Sequence, residues 1–112
     1  MIITIKFIDD VEHIYNSFEK ILELDNYNDI VYIKCAKNKL DKLPELPNSL
    51  AVLYCSYNNL SSLPELPNSL EYLNCTRNNL SRLPELPDSL LELYCDTNNL
   101  SSLPELPNSL KK

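Results

Sequence analysis

Residues 43–50 read LPELPNSL, and the same eight letters return at 63–70 and 103–110, with LPELPDSL at 83–90. Each copy starts twenty residues after the last. Between them stand VYIKCAKNKLDK (31–42), AVLYCSYNNLSS (51–62), EYLNCTRNNLSR (71–82) and LELYCDTNNLSS (91–102), with no insertion. A fixed period of this length is the mark of a solenoid, in which each repeat is one coil and neighbouring coils share a core. In Leu63-Pro64-Glu65-Leu66-Pro67 two prolines hold φ near −65° and remove two backbone donors, which excludes a helix. Polyproline II, with about three residues per turn, turns both leucines to one side. Asn68-Ser69 then reads as the turn into the next coil.

The second coil, with the leucine before it, reads Leu50-x-x-Leu53-x-Cys55-x-x-Asn58-x-Leu60. This resembles the leucine-rich-repeat pattern, with cysteine in the third leucine slot. Leu53 and Cys55 alternate with Val52, Tyr54 and Ser56, the two-residue period of a strand. The expected fold is an α/β solenoid. It is a right-handed superhelix with a parallel β-sheet on the concave face, an extended polyproline II convex side and one N-terminal helix. Burial within one coil cannot offset the entropy of ordering it, so the coils must stack. Residues 1–29 read as a strand–helix cap, 30–110 as four repeats and 111–112 as a tail.

In the cap, Ile3, Ile5 and Phe7 alternate like a strand. Asp9 and Glu12 resemble a capping box. Val11, Ile14, Tyr15, Phe18, Ile21 and Leu22 follow helical spacing. With the strand Ile30–Cys35 this predicts a parallel βαβ unit. The strand around Leu93-Tyr94-Cys95 is expected to be an open edge.

Composition narrows the function. The charge is −6, which opposes binding to nucleic acid or an anionic membrane surface. No run is long and apolar enough for a membrane span, and no secretory leader is evident at the start, so a cytoplasmic location is expected. There is no glycine, which excludes glycine-rich phosphate loops and predicts that no position strictly needs a positive φ.

Asn38, Asn58, Asn78 and Asn98 form a column where the chain leaves each strand. Their amides are expected to pair backbone groups left open by the turn. Cys35, Cys55, Cys75 and Cys95 form another. A zinc site and disulfides are the alternatives, but thiols in a straight row suit neither tetrahedral ligation nor disulfide geometry, and small buried reduced hydrophobes fit better. A cysteine nucleophile at Cys95-Asp96 lacks a base, because the one histidine, His13, falls on the predicted N-terminal helix. Glu45, Glu65, Glu85 and Glu105 read as a solvated acidic ridge. No catalytic residue, metal or cofactor is expected.

The outward strand positions are the candidate site. Across the coils they run Tyr32, Val52, Tyr72, Glu92; then Lys34, Tyr54, Asn74, Tyr94; then Ala36, Ser56, Thr76, Asp96; then Lys37, Tyr57, Arg77, Thr97. Five of the seven tyrosines lie here. These positions change from coil to coil while LPELP does not. Tyrosine and arginine are common interface anchors, although tyrosine is also a good strand residue. The proposed protein-binding residues are Tyr32, Lys34, Tyr54, Tyr57, Tyr72, Asn74, Arg77, Glu92, Tyr94 and Asp96.

The wording LPxLPxSLxxLxxxxNxL resembles the short repeats of YopM-like and IpaH-like bacterial effectors. It is also similar to leucine-rich-repeat proteins of giant amoebal viruses, with their Asn-, Lys-, Ile- and Tyr-rich wording. The resemblance implies protein binding through the concave sheet, in a host-cell cytoplasm for the effectors. It leaves two alternatives: a recognition segment of a larger effector such as a ubiquitin ligase, and a structural protein that assembles with itself through its C-terminal edge.

Overall fold

The computed structural model describes residues 1–110; the predicted tail at 111–112 lies outside the described residues. Six strands form one sheet in the order β2-β1-β3-β4-β5-β6. They are β1 Ile3–Lys6, β2 Glu12–Tyr15, β3 Tyr32–Lys34, β4 Val52–Tyr54, β5 Tyr72–Asn74 and β6 Glu92–Tyr94, with a short helix α1 Phe18–Leu22 and a 3-10 turn Tyr27–Asp29. β3 to β6 are parallel and their register is the twenty-residue phase: Ile33 opposite Leu53, Leu53 opposite Leu73, Leu73 opposite Leu93.

The parallel strands are three residues long because each coil needs its remaining residues to turn. Pairing continues past their ends. The Cys35 amide donates to the Tyr54 carbonyl at 2.8 Å and the Tyr57 amide to the Thr76 carbonyl at 2.9 Å. Beneath the sheet, Leu50, Leu53, Cys55, Leu60, Leu70, Leu73, Cys75, Leu80 and Leu90 are fully buried. Leu46, Leu66 and Leu86 close the core from the back, along segments with neither helix nor strand. Each back segment ends in a Pro-Asn/Asp-Ser-Leu turn, in which the Leu50, Leu70 and Leu90 amides donate to the carbonyls of Pro47, Pro67 and Pro87. The serine hydroxyls join these turns between coils: Ser69 Oγ reaches the carbonyls of Asn48 at 2.9 Å and Leu50 at 2.6 Å.

The asparagines occupy the opposite corner. Asn58 Nδ2 donates to the carbonyls of Cys35 (3.1 Å), Cys55 (3.0 Å) and Ser56 (3.2 Å). Its Oδ1 accepts from the amides of Asn38 (2.9 Å) and Leu40 (3.0 Å) in the preceding coil. One amide group thus satisfies both its own turn and its neighbour's, which matters because water cannot reach these groups. Asn78 and Asn98 repeat the arrangement one and two coils later. Asn38 instead donates to the carbonyls of Ile2 and Cys35, which ties the N-terminal hairpin to the first coil.

The N-terminal segment departs from the expected βαβ unit. β1 pairs antiparallel with β3, Ile5 facing Ile33, and antiparallel with β2, Ile5 facing His13. The first part of the predicted helix is therefore a hairpin strand, only Phe18–Leu22 being helical, and His13 stands on β2 with its ring edge-on to Phe7 at 5.6 Å. No capping box forms. Asp9 Oδ1 accepts the Val11 amide, and Asp10 turns the hairpin at φ 68°, paired to Lys6 at 3.3 Å. A hairpin satisfies backbone groups through a short local turn, whereas a parallel pair needs a long crossover. The helix that remains buries Ile21 in the same core as Ile3 and Ile5.

The absence of glycine does not mean an absence of left-handed backbone. Lys37 (φ 61°), Tyr57 (57°), Arg77 (58°) and Thr97 (55°) take positive φ at the same position of each coil, and Lys39 does so at 57°. This twist stops the strand and turns the next amide toward the following coil's asparagine, as in the bonds from the amides of Asn38 and Asn78 to Asn58 and Asn98 Oδ1. The hydrogen bonds made there hold non-glycine residues in a conformation that costs each about 1–2 kcal/mol.

Candidate functional site

On the solvent side of the sheet the tyrosines do not stand alone. Tyr32 and Tyr54 rings lie 5.7 Å apart, Tyr54 and Tyr72 4.9 Å, and Tyr72 and Tyr94 5.5 Å, all tilted. The row zigzags between two columns, so each ring meets a diagonal neighbour in the next coil. Such aromatic pairs strengthen a sheet, and diagonal neighbours are within their reach. Lys6 on β1 continues the row, its Nζ 4.5 Å from the centre of the Tyr32 ring. At the other end Tyr94 donates its hydroxyl to Glu92 Oε1 at 2.9 Å, which raises its pKa. Burial, followed by the neighbouring Tyr54, pushes Tyr72 up to about 12. The row is thus a continuous apolar strip with a cation at one end and an anion at the other, its rings half-buried.

The residues singled out from sequence fall into two groups. Tyr32, Tyr54, Tyr72, Asn74, Glu92 and Tyr94 are half-buried and belong to the strip or its borders. Lys34, Tyr57, Arg77 and Asp96 are exposed. The structure brings Tyr57 and Arg77 together with Lys37, which the sequence placed in the same column but not in the site: both cations lie over the Tyr57 ring. Asp96 accepts the hydroxyl of Thr76 at 2.9 Å. Lys6 is the residue missed altogether. The helix predicted after β1 hid the antiparallel pairing that sets Lys6 opposite Tyr32. Ser56, expected to face outward, is buried.

The cysteines line the core side. Burial pushes Cys35 and Cys75 up to about 12 and Cys55 well above its ordinary value. Cys95 differs from the others in being half-buried, because β6 is the edge of the sheet. Among the described residues no group of three or more His, Cys, Asp or Glu side chains is placed to hold a metal. The acidic ridge Glu45, Glu65, Glu85 and Glu105 is exposed on the back, where shallow grooves of about 320 and 550 Å³ run between coils. No helix of the described residues is long and apolar enough to cross a membrane.

No family model matches the chain, and no curated protein does. Solved structures do. The leucine-rich-repeat domain of a Shigella effector is 42% identical, with a TM-score of 0.69 over 70% of this chain and 36% of that one. YopM from Yersinia enterocolitica WA-314 is 30% identical, with a TM-score of 0.51 over 67% of this chain and 26% of that one. The chain thus spans about a third of the first structure and about a quarter of the second.

Proposed function

We propose that this chain, a leucine-rich-repeat protein whose repeats resemble those of bacterial effectors, holds a protein partner on the solvent-facing, concave side of its sheet. The observation that carries the reading is the contrast between frame and face. The core leucines, the asparagine corner and the LPELP back repeat almost letter for letter, while the face presents a different set of side chains in each coil. Its aromatic strip is held in place before any partner arrives, which lowers the entropic cost of binding. Effector leucine-rich-repeat domains among the solved structures support an interaction module.

The reading includes no catalysis. A buried thiol with a raised pKa is a poor nucleophile, and His13 sits on β2, at the edge of the sheet opposite β6 and Cys95. Reduced, buried cysteines suit a cytoplasm, the host cell's included. Nucleic acid and membranes are not the proposed partners, since the chain carries a charge of −6.

The test is capture from the native cell extract, with wild type beside a Lys34/Tyr57/Arg77/Asp96→Ala variant. All four side chains are exposed, so the variant is expected to melt with the wild type. A protein held by the first and lost by the second supports the face. Equal capture by both removes these four residues from the site, and capture that also survives Tyr54→Ala and Tyr94→Ala moves the site off the face. Two specific observations favour second readings. The chain spans only about a third of the Shigella domain, which suits a recognition segment of a larger effector. Leu103 and Leu106 in the last coil are half exposed, which suits self-assembly at that edge. A monomer mass by light scattering at every concentration excludes the latter.

A further inference from the structure

Tyr57 lies beside the aromatic strip, not in it. It is 48% exposed and sits between two cations, with Lys37 Nζ 5.5 Å and Arg77 Cζ 5.3 Å from the centre of its ring. Both cations are exposed, and neither makes a salt bridge to a carboxylate among the described residues. Arg77 has an acid at hand: its backbone amide donates to the Asp96 carbonyl at 3.0 Å. Its guanidinium goes to Tyr57 all the same, and the Asp96 carboxylate is taken by the hydroxyls of Thr76 at 2.9 Å and Thr97 at 3.4 Å. A chain of charge −6 therefore keeps two unneutralised cations over one ring.

We infer that Lys37, Tyr57 and Arg77 form a docking point for an acidic segment of the protein partner. The inference rests on the binding reading above and adds the partner's chemistry. A carboxylate approaching the cluster meets a planar guanidinium fork, an ammonium and a phenol hydroxyl, which together suit an anion with several acceptor lone pairs. The ring restrains both cations, so less freedom is lost when they engage. Direction follows from charge. Glu92 and Asp96 repel an acidic segment at the β6 end of the face and Lys34 attracts it at the β3 end, so the partner's acids are set toward β3.

The experiment is an amide-shift titration of the full chain by NMR with two probe peptides of equal length, one Gly/Ser peptide carrying four glutamates and its counterpart carrying four lysines. The glutamate peptide is expected to shift the amides of Lys37, Tyr57 and Arg77 in a saturable way. Binding should weaken about tenfold or more in Lys37→Gln/Arg77→Gln, and should weaken again as salt is raised from about 0.05 to about 0.5 M. Tyr57→Leu, which keeps both charges but removes the ring, should bind less tightly than wild type. Absence of shifts with the glutamate peptide overturns the inference, as does binding that the double variant leaves intact. Shifts with the lysine peptide alone, on the solvent side of β3–β6, overturn the acidic partner while leaving the face as the binding surface. Shifts confined to the LPELP back overturn both readings. Shifts that follow protein concentration without peptide indicate a second copy as the occupant, and also overturn the inference.

Discussion

Asn78 donates to the carbonyls of Cys55 at 3.1 Å and Cys75 at 3.0 Å while its Oδ1 accepts the Leu60 amide at 3.0 Å. Asn78→Ala leaves these groups without partners in a water-free corner. It should cost about 1–3 kcal/mol, read as a lower urea midpoint. Thr97 gives the opposite sign. It is β-branched at φ 55°, so Thr97→Gly relieves strain greater than the entropy glycine adds to the unfolded chain. A gain of about 0.5–1 kcal/mol is expected from the same measurement. The cysteines add a pH dependence. Cys35 and Cys75 rise from an ordinary value near 9 to about 12 because burial disfavours the thiolate. Their contribution is complete below about pH 9, where both folded and unfolded thiols are protonated. It is lost as pH climbs toward about 12, because the unfolded chain releases its protons first. Melting curves should fall across that window, and less steeply in Cys35→Ala. The asparagine and cysteine columns are legible in the repeat because each occupies one fixed phase. The left-handed column is not, since glycine, its usual marker, is absent.

The N-terminal segment shows where a helical spacing misleads. Val11, Ile14, Tyr15 and Phe18 fit a helix, but Val11, His13 and Tyr15 also alternate, and β-branched and aromatic residues favour strands. The decision falls to tertiary pairing. β2 gains a hydrogen-bonded partner in β1 through a short turn, and Ile14 is left 66% exposed. Under the helical reading Ile14 would face the core. Ile14→Thr should therefore change the stability read from urea unfolding by no more than about 0.5 kcal/mol. Ile5→Ala, a fully buried residue between Ile33 and His13, should cost about 2–5 kcal/mol. A large loss at Ile14 would restore the helix and contradict the hairpin. The back of each coil was plain from its prolines, because they remove donors and fix φ wherever they stand.

Over the whole molecule, one register carries both stability and surface. The twenty-residue phase sets Tyr32, Val52, Tyr72 and Glu92 opposite one another in turn. The columns of the face could thus be written down from the sequence alone. Contacts between columns could not: the diagonal tyrosine row, and the placing of both cations over Tyr57, depend on side-chain directions that a repeat alignment does not contain. The face is proposed to be where a protein partner binds. Amide hydrogen exchange of the full chain, free and with its captured partner, tests it most directly. Added protection is expected along β3–β6 and the positions just after them, 35–37, 55–57, 75–77 and 95–97, with the LPELP segments unchanged. Protection confined to residues 43–50, 63–70, 83–90 and 103–110 would contradict it and place the working surface on the acidic back.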